Sequence, residues 1–182
     1  MFAYSKNKSL KIMKKINLLF LVLLVIISSC SKDDGPSEIT GDILGQWNLT
    51  AYDYDGKSVT TAAGVSITSE FIGEGLNFDA TVTFSDNPNT IVSQGDYTLR
   101  LTTTVMGETN VVEHTFSDFI GNGNWEQSGN KLSVSSGDLE YDYTIKRLTD
   151  NELILSLETV EDLSEQGFTI ITTINAEMVL TR

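Results

Sequence analysis

Much of the chain alternates. Phe78, Ala80, Val82 and Phe84 are separated by Asp79, Thr81 and Thr83, and the same two-residue rhythm returns at Tyr97, Leu99, Leu101, Thr103 and Val105. It recurs at Leu139, Tyr141, Tyr143 and Ile145, at Leu153, Leu155 and Leu157, and at Phe168, Ile170, Ile174, Ala176, Met178 and Leu180. Successive side chains of a strand point to opposite faces, so each set lines one face while its polar partners meet water. Thr, Val, Ile and Tyr suit such half-buried pleated surface. The pattern predicts an antiparallel sheet with one wet face. Asp55-Gly56, Asn87-Pro88-Asn89, Met106-Gly107, Gly129-Asn130 and Thr149-Asp150-Asn151 lie between the runs and read as chain reversals. Residues 57–77 are the least regular stretch, where residues 60–64 fit a loop, a short helix or an irregular strand. Residues 161–167 are expected to form an acidic loop between the last two strands.

One-faced strands must hide their apolar side, and curling into a barrel does so while removing reactive edges. The expected fold is all-β: a single antiparallel up-and-down β-barrel of about 8–10 strands over residues 42–182. The interior of so small a barrel is either filled by side chains or holds one small ligand.

The amino-terminal end breaks the rhythm. Residues 18–27 are uninterruptedly apolar, preceded by Lys6, Lys8, Lys11, Lys14 and Lys15 and followed by Ser28-Ser29-Cys30. A basic region, a short apolar run and small residues at a cut site describe a secretory signal peptide, here residues 1–29, and the run is too short to span a bilayer. Translation from Met1 or from Met13 gives the same reading. Cys30 is the only cysteine, so no disulfide forms within the chain. Residues 30–41, rich in charge, Gly, Pro and Ser, read as a flexible tether. From Cys30 onward 7 bases stand against 25 acids, a net charge of −18. That balance excludes nucleic acid as a partner and disfavours adhesion to anionic headgroups.

Ile27-Ser28-Ser29-Cys30 resembles the lipobox of bacterial lipoproteins, which implies a diacylglycerol on Cys30 and a membrane as partner through that lipid. Two or more acyl chains anchor stably where one does not. Ser31-Lys32-Asp33-Asp34 resembles the export signal of surface lipoproteins of the Bacteroidetes group; the expected place is the outer membrane, at the cell surface or facing the periplasm. Gly45-Gln46-Trp47 resembles the Gly-x-Trp that opens lipocalin-like domains. With Gly95-Asp96-Tyr97, Gly123-Asn124-Trp125, Asn130-Lys131-Leu132 and residues 148–153, the order is similar to small lipocalin-like lipoproteins of the same group. The resemblance covers most of residues 41–182 and implies a barrel that binds a small molecule. It departs in ending on a strand pattern, without the helix that follows the barrel in typical secreted lipocalins.

Within such a barrel Trp47 is large enough to plug one end, and Gly45 lets the entering backbone turn against it. Tyr97, His114, Trp125, Tyr141, Tyr143 and Phe168 are the candidate ligand-lining residues: they either line an apolar pocket with polar tips to orient a small hydrophobic guest, or fill the interior completely. His114 is the only histidine, on the face shared with Val112 and Phe116. A polar group there is satisfied by a neighbouring Tyr or Thr, or by a ligand. With one histidine and one thiol there is no transition-metal ligand set, no cofactor is called for, and no nucleophile-elbow pattern supports a hydrolase. Asp53-Tyr54-Asp55-Gly56 lacks the later ligands of a calcium loop and reads as an Asp-Gly hairpin. Glu158, Glu161, Asp162 and Glu165 read as a solvated acidic loop. The expectation is a non-enzymatic binder; the alternative is an envelope interaction module with a packed interior.

Overall fold

The computed structural model describes residues 38–117, 119–165 and 167–182. The signal peptide expected over residues 1–29, the lipidation expected at Cys30 and the tether as far as residue 37 lie outside the described residues. All regular elements among the described residues are strands: β1 (Glu38–Ile39), β2 (Gly45–Ala62), β3 (Val65–Ser85), β4 (Thr90–Val105), β5 (Glu108–Ser117), β6 (Gly123–Ser128), β7 (Lys131–Ser136), β8 (Leu139–Leu148), β9 (Glu152–Asp162) and β10 (Phe168–Thr181). β1 pairs in parallel with the end of β8, Glu38 beside Arg147, so the folded unit takes in the last residues read as tether.

Pairing closes a ring in the order β2-β3-β4-β6-β7-β8-β9-β10, with β10 returning to β2. The ring is less regular than a simple up-and-down barrel. β4 pairs with β6 only at Thr90 and Ile91, and from Asp96 to Val105 it pairs with β5 instead. β5 therefore stands outside the ring, on β4 alone. The consequence is two walls of unequal height. β5-β4-β3-β2-β10-β9 form a tall wall, and the shorter β6-β7-β8 face it.

The core sits where both walls are present. Trp47, Val82, Ile91, Leu132, Val134, Ile145, Leu153, Leu155 and Leu180 are fully enclosed there. They come from five ring strands plus β2 and β10; Val82, Ile145, Leu153, Leu155 and Leu180 belong to the predicted alternation, and burying each large side chain contributes roughly 1.5–3 kcal/mol.

One turn assignment is corrected. Asp55-Gly56 lies in the middle of β2, paired with Asn175-Ile174 on one side and Ile72-Phe71 on the other. The missing side chain has a packing use: the Phe71 ring occupies the space a Cβ on Gly56 would need, and the Tyr54 ring does the same over Gly73. Glycine here lets an aromatic ring lie against the sheet rather than turning the chain. The reversal comes at Ala63-Gly64, both at positive φ, as two-residue hairpins require. The irregular stretch of residues 57–77 is thus the last third of β2, the turn after it and the greater part of β3. Met106-Gly107, also at positive φ, forms the β4–β5 turn as predicted.

Candidate functional site

At the closed end, Trp47 is fully buried and its Nε1 donates to the Ile43 carbonyl at 2.8 Å. The Arg182 guanidinium lies 4.0 Å from the indole centroid. Its Nη1 donates to Leu44 O at 2.6 Å, Nη2 to Asp42 O at 2.9 Å and Nε to Asp150 O at 2.7 Å. One cation therefore joins the entry to β2, the β8–β9 turn and the end of β10 beneath the Trp47 plug. Gly45, at φ 107°, leaves the room that Arg182 uses: a Cβ there would stand 3.3 Å from Nη1. Sequence reasoning assigned Gly45 and Trp47 to this end and missed Arg182.

Above the core lies a layer of aromatic rings on the inner face. Tyr97 is its hub, with ring centroids at 5.5 Å to Tyr52, 6.3 Å to Phe78, 6.0 Å to Phe116 and 6.5 Å to Phe119. The series continues through Tyr52–Tyr54 at 6.2 Å and Tyr54–Phe71 at 5.9 Å on one side, and through Phe116–His114 at 4.8 Å on the other. Register explains the assembly: Tyr97 faces Phe116, Leu99 faces His114 and Leu101 faces Val112 across β4 and β5.

Burial, then the proximity of Tyr52 and Tyr54, pushes the Tyr97 hydroxyl well above the usual phenol range; burial, then Tyr52, Tyr141 and Tyr97, does the same to Tyr143. Tyr52 and Tyr54 are raised as well, chiefly by desolvation. All four stay protonated at neutral pH, so each O–H is available to donate. Deeper on the same face, Ser93 Oγ is buried with no hydrogen-bond partner among the described residues.

Above this floor the tall wall continues alone. Its inner positions include Val65, Ile67, Val112, Phe116 and Phe168, all exposed. The Thr172 hydroxyl bonds Ser58 Oγ at 3.0 Å along the same face. No Lys or Arg occupies an inner position of β2, β3, β4, β5, β9 or β10 in this register; the acids Glu108 and Glu161 sit at the far rim. The outer face takes the charge, where Arg100 bridges Glu113 at 2.9 Å and Glu74 at 3.2 Å across three strands.

The predicted site residues separate accordingly. Tyr97 and Tyr143 belong to the floor, both 5% exposed. His114 is on the predicted face with Val112 and Phe116, but it is exposed rather than a core residue, because β5 stands outside the ring on β4 alone. Tyr141 lies toward the tip of the short wall and Phe168 at the top of the tall wall opposite Ala62. Trp125 is not with them. It is half-buried at the closed end, packed at right angles to Phe84 at 5.8 Å. Tyr52, Tyr54 and Phe71 were missed because a turn was read through Asp55-Gly56. Their signal was the alternation of Tyr52 and Tyr54, which continues into that glycine.

The ring of strands is plugged at one end, with an arginine under the plug, and opens at the other over an aromatic layer. The sequence profile of the lipocalin-like domain matches residues 43–155, more than half the chain, and the protein belongs to that family. No characterised protein and no solved structure gives a significant match to the chain.

Proposed function

We propose that the protein holds a small, neutral, largely apolar molecule against the aromatic floor and the inner face of the tall wall, without catalysing a reaction on it. The observation that carries this reading is the cluster of Tyr52, Tyr54 and Tyr97, with Tyr143 near Tyr52 and Tyr97, beneath an exposed apolar surface. Protonated phenols donate to a carbonyl, ether or hydroxyl oxygen, and the surrounding rings take a flat or chain-like apolar body. A carboxylate or phosphate finds no counter-charge on the inner positions and meets the acids of the rim. The guest is therefore neutral. We further propose that a diacylglycerol on Cys30 fixes the domain to the outer membrane, with the open mouth delivering or receiving its guest there.

Binding is tested with the neutral fluorophore N-phenyl-1-naphthylamine. Its emission should rise saturably on mixing, be displaced by long-chain alcohols but not by fatty acids, and fall at least tenfold in affinity in Tyr97→Ala, as expected when an aromatic contact and a donor are both lost. Absence of binding, or equal affinity in a folded Tyr97→Ala, would leave the packed interaction module as the better reading. For the anchor, metabolic labelling with an acyl analogue should disappear in Cys30→Ser; persistent labelling refutes it. Protease treatment of intact cells then separates a surface position from a periplasmic one.

A further inference from the structure

We propose a second binding site at the closed end, for a neutral polyhydroxylated ring of the saccharide class, with Trp125 as its platform. It is independent of the guest at the mouth, because Trp125 lies at the opposite end of the ring.

A shallow, largely open depression lies there. Trp125 lines it together with Asp42, Asp86, Asn89, Glu126 and Gln127. The indole is held in place: Nε1 donates to the Ser85 carbonyl at 3.0 Å, and Phe84 supports it at right angles. Its polar atom is already engaged, so what Trp125 offers a ligand is its π-surface. That surface is electron-rich and attracts the C–H face of a saturated ring.

The polar groups around it are also held. Asp42 Oδ1 accepts from Leu44 N at 3.0 Å, Asp86 Oδ2 accepts from Asn87 Nδ2 at 2.9 Å, and Gln127 Nε2 donates to Gly129 O at 3.2 Å. Each side chain is oriented by one atom while a second polar oxygen stays outside these bonds. Carboxylates only accept, whereas amides both donate and accept, and hydroxyls need both kinds of partner. Three carboxylates repel an anion and accept from the hydroxyls of a neutral ligand. A cationic control separates hydroxyl recognition from simple attraction of positive charge.

The chain has two tryptophans, and Trp47 is fully enclosed, so a ligand-dependent change in emission reports on Trp125. The experiment titrates the protein with cellobiose, maltose and diacetylchitobiose, with tetramethylammonium chloride and sodium sulfate as charged controls. At least one disaccharide should give a saturable change that vanishes in Trp125→Ala. Loss of a hydrogen bond to a carboxylate should weaken it about tenfold in Asp86→Ala or Glu126→Ala. Those two positions are exposed and do not threaten the core, which keeps the test open should Trp125→Ala fail to fold. Tyr97→Phe should leave it unchanged, whatever that variant does at the mouth. Saturation by tetramethylammonium or sulfate alone, no response to any disaccharide, or unchanged affinity in both carboxylate variants would overturn the site.

Discussion

The two ends of the ring are built from the same strands with the same alternation, yet they meet different fates. Around Trp47 every inward residue of β2 and β10 has an opposing wall, and Trp47, Leu153, Leu155 and Leu180 lose all their solvent exposure. At the far ends of β10 and β3 the residues still face inward, but Phe168 remains 37% exposed and Val65 66% exposed. The difference is the short wall. β6 and β7 run for six residues each, against 18 in β2 and 21 in β3. An alternating pattern states which face is inside; the length of the strands opposite decides whether an inside exists.

Variants sharpen that contrast, and the widest gap is expected between its extremes. Trp47→Ala removes the plug from a packed site and should cost about 3–5 kcal/mol, whereas Phe168→Ala, with little to vacate, should cost below about 1 kcal/mol. Urea unfolding followed by circular dichroism reads both; equal losses would mean the upper wall is packed as tightly as the base. Gly73→Val comes next. It forces the Tyr54 ring off β3 and should cost about 1–3 kcal/mol, with weakened naphthylamine binding at the mouth.

The boundary between the two halves has a pH signature. Tyr97 and Tyr143 ionise near 10.0 in the unfolded chain and well above it when folded. Their raised values mean that stability is complete below pH 10 and falls as pH rises beyond it, since only the unfolded chain then releases the protons. Alkaline titration should show this fall, and the double variant Tyr97→Phe, Tyr143→Phe should flatten it. A wild-type curve as flat as the variant's would place these phenols in water. The smallest effect is expected at Arg147, which joins Glu38 at 3.1 Å and Glu152 at 3.0 Å wholly at the surface. Exposed pairs are screened, so Arg147→Ala should leave the urea midpoint unchanged within error.

Most strands were legible because a two-residue period survives wherever one face is buried, as from Phe78 to Phe84 and from Leu139 to Ile145. The upper part of β2 and of β3 was not, because Gly56 and Gly73 replace side chains at inward positions with space that rings from a neighbouring strand fill. Those rings are remote in sequence, so no local window reveals them. The site was half legible for the same reason. Tyr97, His114 and Tyr143 carry the period within their own strands, and Gly45-Gln46-Trp47 carries a known pattern. Arg182 is one basic residue after a strand, and its role appears only when β10 lies beside β2. Trp125 was misplaced with the mouth because period two gives a face but no height along the ring.

The seam between β2 and β10 has a consequence in time. It joins Thr50 to Val179 and Leu44 to Arg182 across 129 and 138 residues of chain. A ribosome must therefore release the whole domain before Trp47 can be covered, and hairpins made earlier have no complete core to settle on. Distant pairing of this kind is slow, because the loop must be closed before its contacts form. Until its last strand arrives, the chain is a set of local β-hairpins; Arg182 is the latch that ends the wait.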